Sequence, residues 1–349
     1  MRNSLIIFHL VCFCTVGFCR TIVFEDSSNR ASVQEILEKT FLLEYEEALD
    51  SVDKLQERLP DHTIGPLLRA GVLYCRMLDL EDRLDMDQFV REYEKAWELS
   101  EVLKKSGEEA EANLYQGVLL GYRALLEQRR GRWWPAVKIG IKSVGRMKAC
   151  LKADSTFSDA LLGVGTYKYW SSKATDFINW LPIIPDQKEK GIELMRRAMN
   201  EGLFAREIAR STLVWTLIDA GQPHEAVELS LEGLRLYPGS RHFLWPLADG
   251  YFLLKQFNKA VATYQQLYDS IQPLKRNNHY NELIVCKQMA RIYYRLSQPE
   301  EVLKWTERGL SYPLDDDVKK RKKQSLGKLQ ELRDKAMKTI EKRSAGPDN

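Results

Sequence analysis

The residue types able to do catalytic chemistry are present in this chain, but nowhere at the spacing such chemistry needs. His62, His224, His242 and His279 are scattered, and no His-Glu-x-x-His or cysteine pair sets two metal ligands on one helix face. Cys75, Cys150 and Cys286 stand far apart in apolar helical runs, the setting of small buried hydrophobes rather than of a disulfide framework. There is no Gly-x-Ser-x-Gly elbow and no glycine-rich phosphate loop. Gly163 and Gly165 lie within a helical run, where close helix contact accounts for them. The chain is therefore expected to hold no catalytic residue, metal or cofactor, and to act by contact. Lys287, Arg291 and Arg295 recur at helical spacing and would form one basic stripe. An aromatic, proline-bearing segment over 167–185 contains Tyr167, Trp170, Phe177 and Trp180, and Pro182 and Pro185 prevent an ordinary helix across its end. It reads either as a plug folded between helices or as a lip that meets a partner or a membrane surface. Trp133-Trp134-Pro135 invites the same two readings, with core packing preferred. The run Lys319-Lys320-Arg321-Lys322-Lys323 is flanked by acids and reads as a solvated helix face, with contact to anionic lipid or nucleic acid as the alternative.

These residues must be positioned by helices, because apolar side chains recur at helical spacing along most of the chain and strand-like alternation is hard to find. A hydrophobic content of 44% with 29% charged residues is that of a folded soluble protein, and a net charge of +3 selects neither nucleic acid nor a membrane as partner. Helices are expected at 33–42, 44–59, 65–78, 87–104, 108–129, 135–151, 157–170, 188–200, 207–220, 223–236, 241–254, 258–270, 282–296 and 299–310. A single polar helix over 315–343 would carry Leu326, Leu329 and Leu332 on one side. Ala226 and Ala260 lie 34 residues apart in the same setting. The first follows Gly221-Gln222-Pro223-His224-Glu225 and precedes Gly233 and Pro238; the second follows Leu247-Ala248 and Tyr251 and precedes Tyr264. Ser297-Gln298-Pro299-Glu300-Glu301-Val302 repeats the first grammar after a longer step of 42.

The stretch from Arg206 to Pro313 resembles consecutive tetratricopeptide repeats on those residues, and the remainder resembles divergent repeats in rhythm. Val302 replaces the small alanine, and Ser230 and Thr306 replace the aromatic carried by Tyr264. The resemblance implies an all-α fold: a right-handed α-solenoid of about seven helix-turn-helix pairs with a C-terminal capping helix. It also implies a concave groove, lined by the first helix of each pair, that binds a peptide or protein partner. On that frame the groove residues are Trp215, His242, Trp245, Asp249, Lys287, Arg291, Tyr294 and Arg295, with Tyr167, Trp170, Phe177 and Trp180 as a second contact site in the insertion. The tryptophans would serve equally as packing between helices. Some repeats of this family clamp a terminal carboxylate with lysine, asparagine and arginine. Lys287 and Arg291 supply the charge, but the asparagine is missing at the matching turns.

Arg2 and the apolar run 5–18 read as a secretory signal peptide, cut after Gly17 or Cys19. The expected layout is a signal peptide over 1–19, a linker over 20–30 and divergent repeats over 31–204, with the aromatic insertion at 171–187. Clear repeats follow over 205–314, then the cap over 315–343 and a disordered tail over 344–349. The function expected is a non-catalytic scaffold outside the cytoplasm, periplasmic or secreted, with a protein or peptide partner. The alternative is a membrane-associated protein held by an uncut leader or by the Trp180–Pro185 lip.

Overall fold

The computed structural model of the protein describes residues 26–174 and 186–344. They form sixteen helices, with no strand among the described residues. Seven consecutive pairs come first: α1 (Ser27–Phe41) with α2 (Tyr45–Arg58), α3 (Ile64–Leu80) with α4 (Met86–Lys105), α5 (Glu109–Arg129) with α6 (Trp133–Ala153), α7 (Ala160–Ala174) with α8 (Lys188–Glu201), α9 (Arg206–Asp219) with α10 (Pro223–Leu236), α11 (Arg241–Leu253) with α12 (Phe257–Ile271), and α13 (Tyr280–Arg295) with α14 (Pro299–Ser311). The chain ends in α15 (Asp316–Arg321) and α16 (Lys323–Ser344). The leader, residues Phe177 and Trp180, and the tail beyond Ser344 lie outside the described residues. α7 continues to Ala174, four residues into the segment read as the insertion.

One turn, repeated, makes five of the seven pairs. After α1, α5, α9, α11 and α13 a single residue swings into the left-handed region: Leu43, Gly131, Gly221, Lys255 and Ser297. Its amide donates to the carbonyl three residues back and the next amide to the carbonyl five back, as in Gly221 N to Ile218 O and Gln222 N to Leu217 O. This closure satisfies the carbonyls that a helix end leaves unpaired. Glycine occupies only two of these five positions, so the turn is less visible in the sequence than in the backbone. Pro223 and Pro299 then start α10 and α14, where the absent amide is not needed.

Small residues set the spacing between helices. Ala48, Ala209, Ala226, Ala248, Ala260 and Ala290 are fully buried, and Val302 takes the equivalent place in the last pair. Ser230 and Thr306, which stand where Tyr264 stands, are also buried; each donates its hydroxyl to a carbonyl of its own helix. The crossing of α7 and α8 brings backbone against backbone. A Cβ on Gly165 would lie 2.7 Å from the Gly191 carbonyl oxygen and 3.0 Å from the Met195 amide nitrogen. Backbone on both sides leaves nothing able to give way. Gly165→Ala is therefore expected to cost about 1–3 kcal/mol in urea unfolding. Gly145→Ala, in α6 with nothing within 4 Å of the added carbon, is expected to gain about 0.5–1 kcal/mol. Equal effects at the two glycines would rule out the packing argument.

Successive first helices from α1 to α11 touch one another, whereas no two second helices pack to a comparable extent. The first helices thus form the inner layer of a curved stack. α16 lies along α13 and α14 and seals the last apolar surface with Leu329, Leu332 and Ala336. The expected single terminal helix is instead broken at Lys322, whose φ of −110° and ψ of 15° leave the helix. At that break Arg321 and Lys322 both turn back over the Tyr280 ring, 4.4 Å and 3.9 Å from its centroid. These two members of the basic run are packed, while Lys319, Lys320 and Lys323 remain exposed.

The array also returns to its own beginning. The acidic corner between α3 and α4 is gripped by three arginines from the C-terminal half. Arg241, opening α11, holds Asp79 through two hydrogen bonds of 2.7 and 2.5 Å, and both side chains are buried. Arg276 reaches Asp82 and Asp85 from the loop before α13, and Arg321 reaches Glu81 at 3.0 Å. Asn281 donates to the Asp79 carbonyl at 2.7 Å and Asn278 to the Glu81 carbonyl at 3.0 Å. Beside them, Phe41 at the end of α1 packs on Tyr237 and Phe243. The lengthened step to Val302 has its use here. The loop 272–279 has eight residues where 237–240 has four, and the longer loop carries Arg276 and Asn278 to the corner.

Candidate partner-binding face

Trp245, Asp249 and Phe252 fall at helical spacing on one side of α11, as do Ile284, Lys287, Gln288 and Arg291 on α13. Between α11 and α13 the direct contact of first helices weakens, and side chains bridge the two. Gln288 donates its amide to Asp249 Oδ1 and to the Tyr264 hydroxyl, both at 3.1 Å. Tyr264 in turn donates to Asp249. Arg291 donates to Gln288 Oε1 at 2.5 Å and lies 4.8 Å from the Phe252 ring centroid. Trp245 meets Tyr264 edge to face at 6.4 Å. The result is a polar ladder across three helices, flanked by two aromatic rings.

Its electrostatics are unbalanced toward the positive. Burial raises the Asp249 carboxyl, against the hydrogen bonds from Tyr264 and Gln288 and the charges of Lys287 and Arg291. Burial lowers the Lys287 ammonium, the neighbouring Arg291 lowers it further, and Asp249 works the other way. Lys322 is brought down to about 8, first by burial, then by Lys287, Arg321 and Arg129, with Glu81 opposing. Cations that repel one another around a partly buried carboxylate favour the arrival of an anionic group. Asp249 is already occupied by donors, so an incoming carboxylate would meet Lys287 and Arg291.

The other predicted residues are placed elsewhere. His242 is half-buried, its ring 5.2 Å from that of Phe41 and its Nε2 enclosed without a hydrogen-bond partner. It belongs to the contact with α1 rather than to an open groove; the surface that covers it comes from a helix 200 residues earlier in the chain, which local spacing does not reveal. Trp215 is exposed on α9, and no described contact links it to the ladder. Tyr294 is turned toward the cap, with the Lys335 ammonium 5.8 Å from its ring, and Arg295 is exposed at the helix end. Tyr167 packs half-buried against the N-terminal core, and Trp170 stands edge-on to Tyr169 at 5.2 Å. Trp133 and Trp134 depart from the expected core packing: they are 60% and 79% exposed, because they begin a second helix on its outward side. Cys75, Cys150 and Cys286 are free thiols, each pushed up to about 12 by burial.

Tyr264, Gln288 and Lys322 were not among the predicted contact residues. Tyr264 is a repeat landmark whose hydroxyl has a second use. Gln288 was legible from its place beside Lys287 and one turn before Arg291. Lys322 was marked only as a member of the basic run 319–323, and its place near Lys287 depends on the break in the terminal helix.

No family model matches the chain, and no curated protein does. Solved structures of other proteins are similar to it. The APC/C hetero-tetramer Cut9–Hcn1 aligns with a TM-score of 0.51 at 13% identity, over 91% of this chain and 57% of the matched one. PilW, a type IV pilus biogenesis factor, aligns at 0.41 and 11% identity, over 84% and 98% of the two chains. The C-terminal part of a TPR repeat-containing protein from Cytophaga hutchinsonii aligns at 0.40 and 13%, over 82% and 97%. The architecture of paired helices is that of a tetratricopeptide-type solenoid.

Proposed function

We propose that this protein is a non-catalytic interaction scaffold that binds an acidic peptide segment of a protein partner between α11 and α13. The observation that carries the reading is the unneutralised pair Lys287 and Arg291, held beside Trp245 and Phe252 by the Asp249–Tyr264–Gln288 ladder. Arginine and aromatic side chains in a partly desolvated recess are the usual anchors of binding energy. The apolar run 5–18 supports work outside the cytoplasm, in envelope assembly or secretion. The remaining predicted residues, Trp215, Tyr294, Arg295, Tyr167, Trp170, Phe177 and Trp180, would extend the contact beyond this centre.

A displayed peptide library panned against the full chain is expected to enrich acidic sequences. The variant Lys287→Gln/Arg291→Gln should bind the enriched peptides at least about tenfold more weakly. Thermal unfolding of the two proteins controls for folding. Enrichment without acidic character, or peptides held equally by the variant, would remove α11 and α13 as the binding site.

A further inference from the structure

We propose that the outward face of α6 is a docking surface for an anionic lipid bilayer. Trp133, Trp134, Val137 and Ile141 are 60%, 79%, 50% and 50% exposed, an apolar cluster at the start of the helix that is at least half open to solvent. With about 100° of turn per residue, the four occupy an arc of about 100°. Lys138 lies about 40° beyond one edge of that arc and Lys142 about 80° beyond it, while Lys148 and Lys152 fall within the arc toward the other end of the helix. Pro135 sits in the first turn, where it is tolerated, and holds the two tryptophans at the helix tip.

Charge decides the occupant. From 133 to 153 the helix contains no aspartate or glutamate. Among the described residues none of Lys138, Lys142, Lys148 and Lys152 has a hydrogen bond or ion pair, and all four are exposed. Some surface lysines elsewhere are matched, as Lys190 is with Glu193, Lys304 with Glu301, and Lys328 and Lys335 with Glu331, so what distinguishes α6 is four exposed lysines on one helix that has no carboxylate of its own. Lysine is depleted from protein–protein interfaces, whereas tryptophan beside lysine on one helix face suits the headgroup layer of a membrane. Among the described residues no helix is long and apolar enough to cross a membrane, so α6 would lie along its surface. The proposal uses a second helix on the outer layer and is independent of peptide binding at α11 and α13.

The test is co-sedimentation of the full chain with vesicles of phosphatidylcholine alone and of phosphatidylcholine mixed with phosphatidylserine. Binding is expected to be at least about tenfold tighter to the anionic vesicles and to weaken with added salt. Two variants, Trp133→Ser/Trp134→Ser and Lys138→Gln/Lys142→Gln/Lys148→Gln/Lys152→Gln, should each abolish that preference. Both alter exposed side chains and should leave thermal unfolding unchanged. Binding that ignores the phosphatidylserine would overturn the proposal. So would a preference that survives in both variants, which would trace it to another segment such as the apolar run 5–18. Absence of vesicle binding, with a protein cross-linked through α6, would make the face a protein interface and end the lipid reading.

Discussion

Replacing Arg241 with alanine is expected to destabilise the protein by about 3–5 kcal/mol, because it strands the buried Asp79 carboxylate without its partner. The pair is bidentate, with Nε on one oxygen and Nη2 on the other, and water reaches neither side chain appreciably. Burial alone would lower the Arg241 guanidinium, yet its hydrogen bonds to Asp79 hold it above its ordinary value. The cost of the alanine variant is chiefly the desolvated charge left behind, not the attraction lost. Hence the double variant Arg241→Met/Asp79→Leu is expected to recover most of the loss and to match or exceed the parent. Urea unfolding of the parent, the single and the double variant checks both. A single-variant loss below about 1 kcal/mol, the range of exposed pairs, would show that the pair is solvated. Arg276→Ala should cost less, since that side chain is more open to solvent and its carboxylate Asp85 is also held by Arg76.

The second large effect is a loss of stability in acid at His62. Its Nδ1 accepts the Ile64 amide at 3.1 Å, so the ring caps the first turn of α3, which Thr63 leaves without a side-chain cap. Protonating that nitrogen would break the bond and place a charge in a mostly buried site beside Tyr115. Burial lowers the imidazole from 6.5 to about 4. Glu111 lies 3.6 Å from Nε2 and acts in the opposite sense, but at that distance it makes no hydrogen bond to compensate. With the folded value below the unfolded one, the unfolded chain takes up the proton first. Stability contributed by neutral His62 is therefore complete above about pH 6.5 and lost as the pH falls toward 4, by up to about 3 kcal/mol. His62→Asn keeps an acceptor for Ile64 and cannot be protonated. The parent should lose about that much more than the variant between neutral pH and pH 4. Parallel curves for the two proteins would show that His62 titrates as it does in the open chain.

How much of this was readable from residues alone varies with the reach of the interaction. Helix bounds came within a few residues wherever an apolar stripe met a turn, as at α10 and α14, where proline opens the helix. The terminal helix was misread as continuous, because Lys322 is an ordinary helix former and leaves the helix only where Arg321 and Lys322 meet Tyr280 and Glu81. On the candidate face, Trp245, Asp249, Lys287 and Arg291 were marked by spacing along two helices. Their coupling through Tyr264 and Gln288 depends on how α11, α12 and α13 pack. His242 shares a helix face with Trp245 and Asp249 by position, and only the return of α1 to that place encloses it.

The sequence by itself determined the local architecture: pairs of helices, small residues at their crossings, and a polar terminal helix that seals the end. Each of these depends on contacts within one repeat or with the next, and a 34-residue rhythm records them directly. Only the tertiary structure decided that the solenoid closes on its own acidic corner. Asp79 and Arg241 are 162 residues apart, and their meeting sums small rotations over several pairs that no single motif encodes. The same summation decided which aromatic residues were covered and which, like Trp133 and Trp134, were left facing outward.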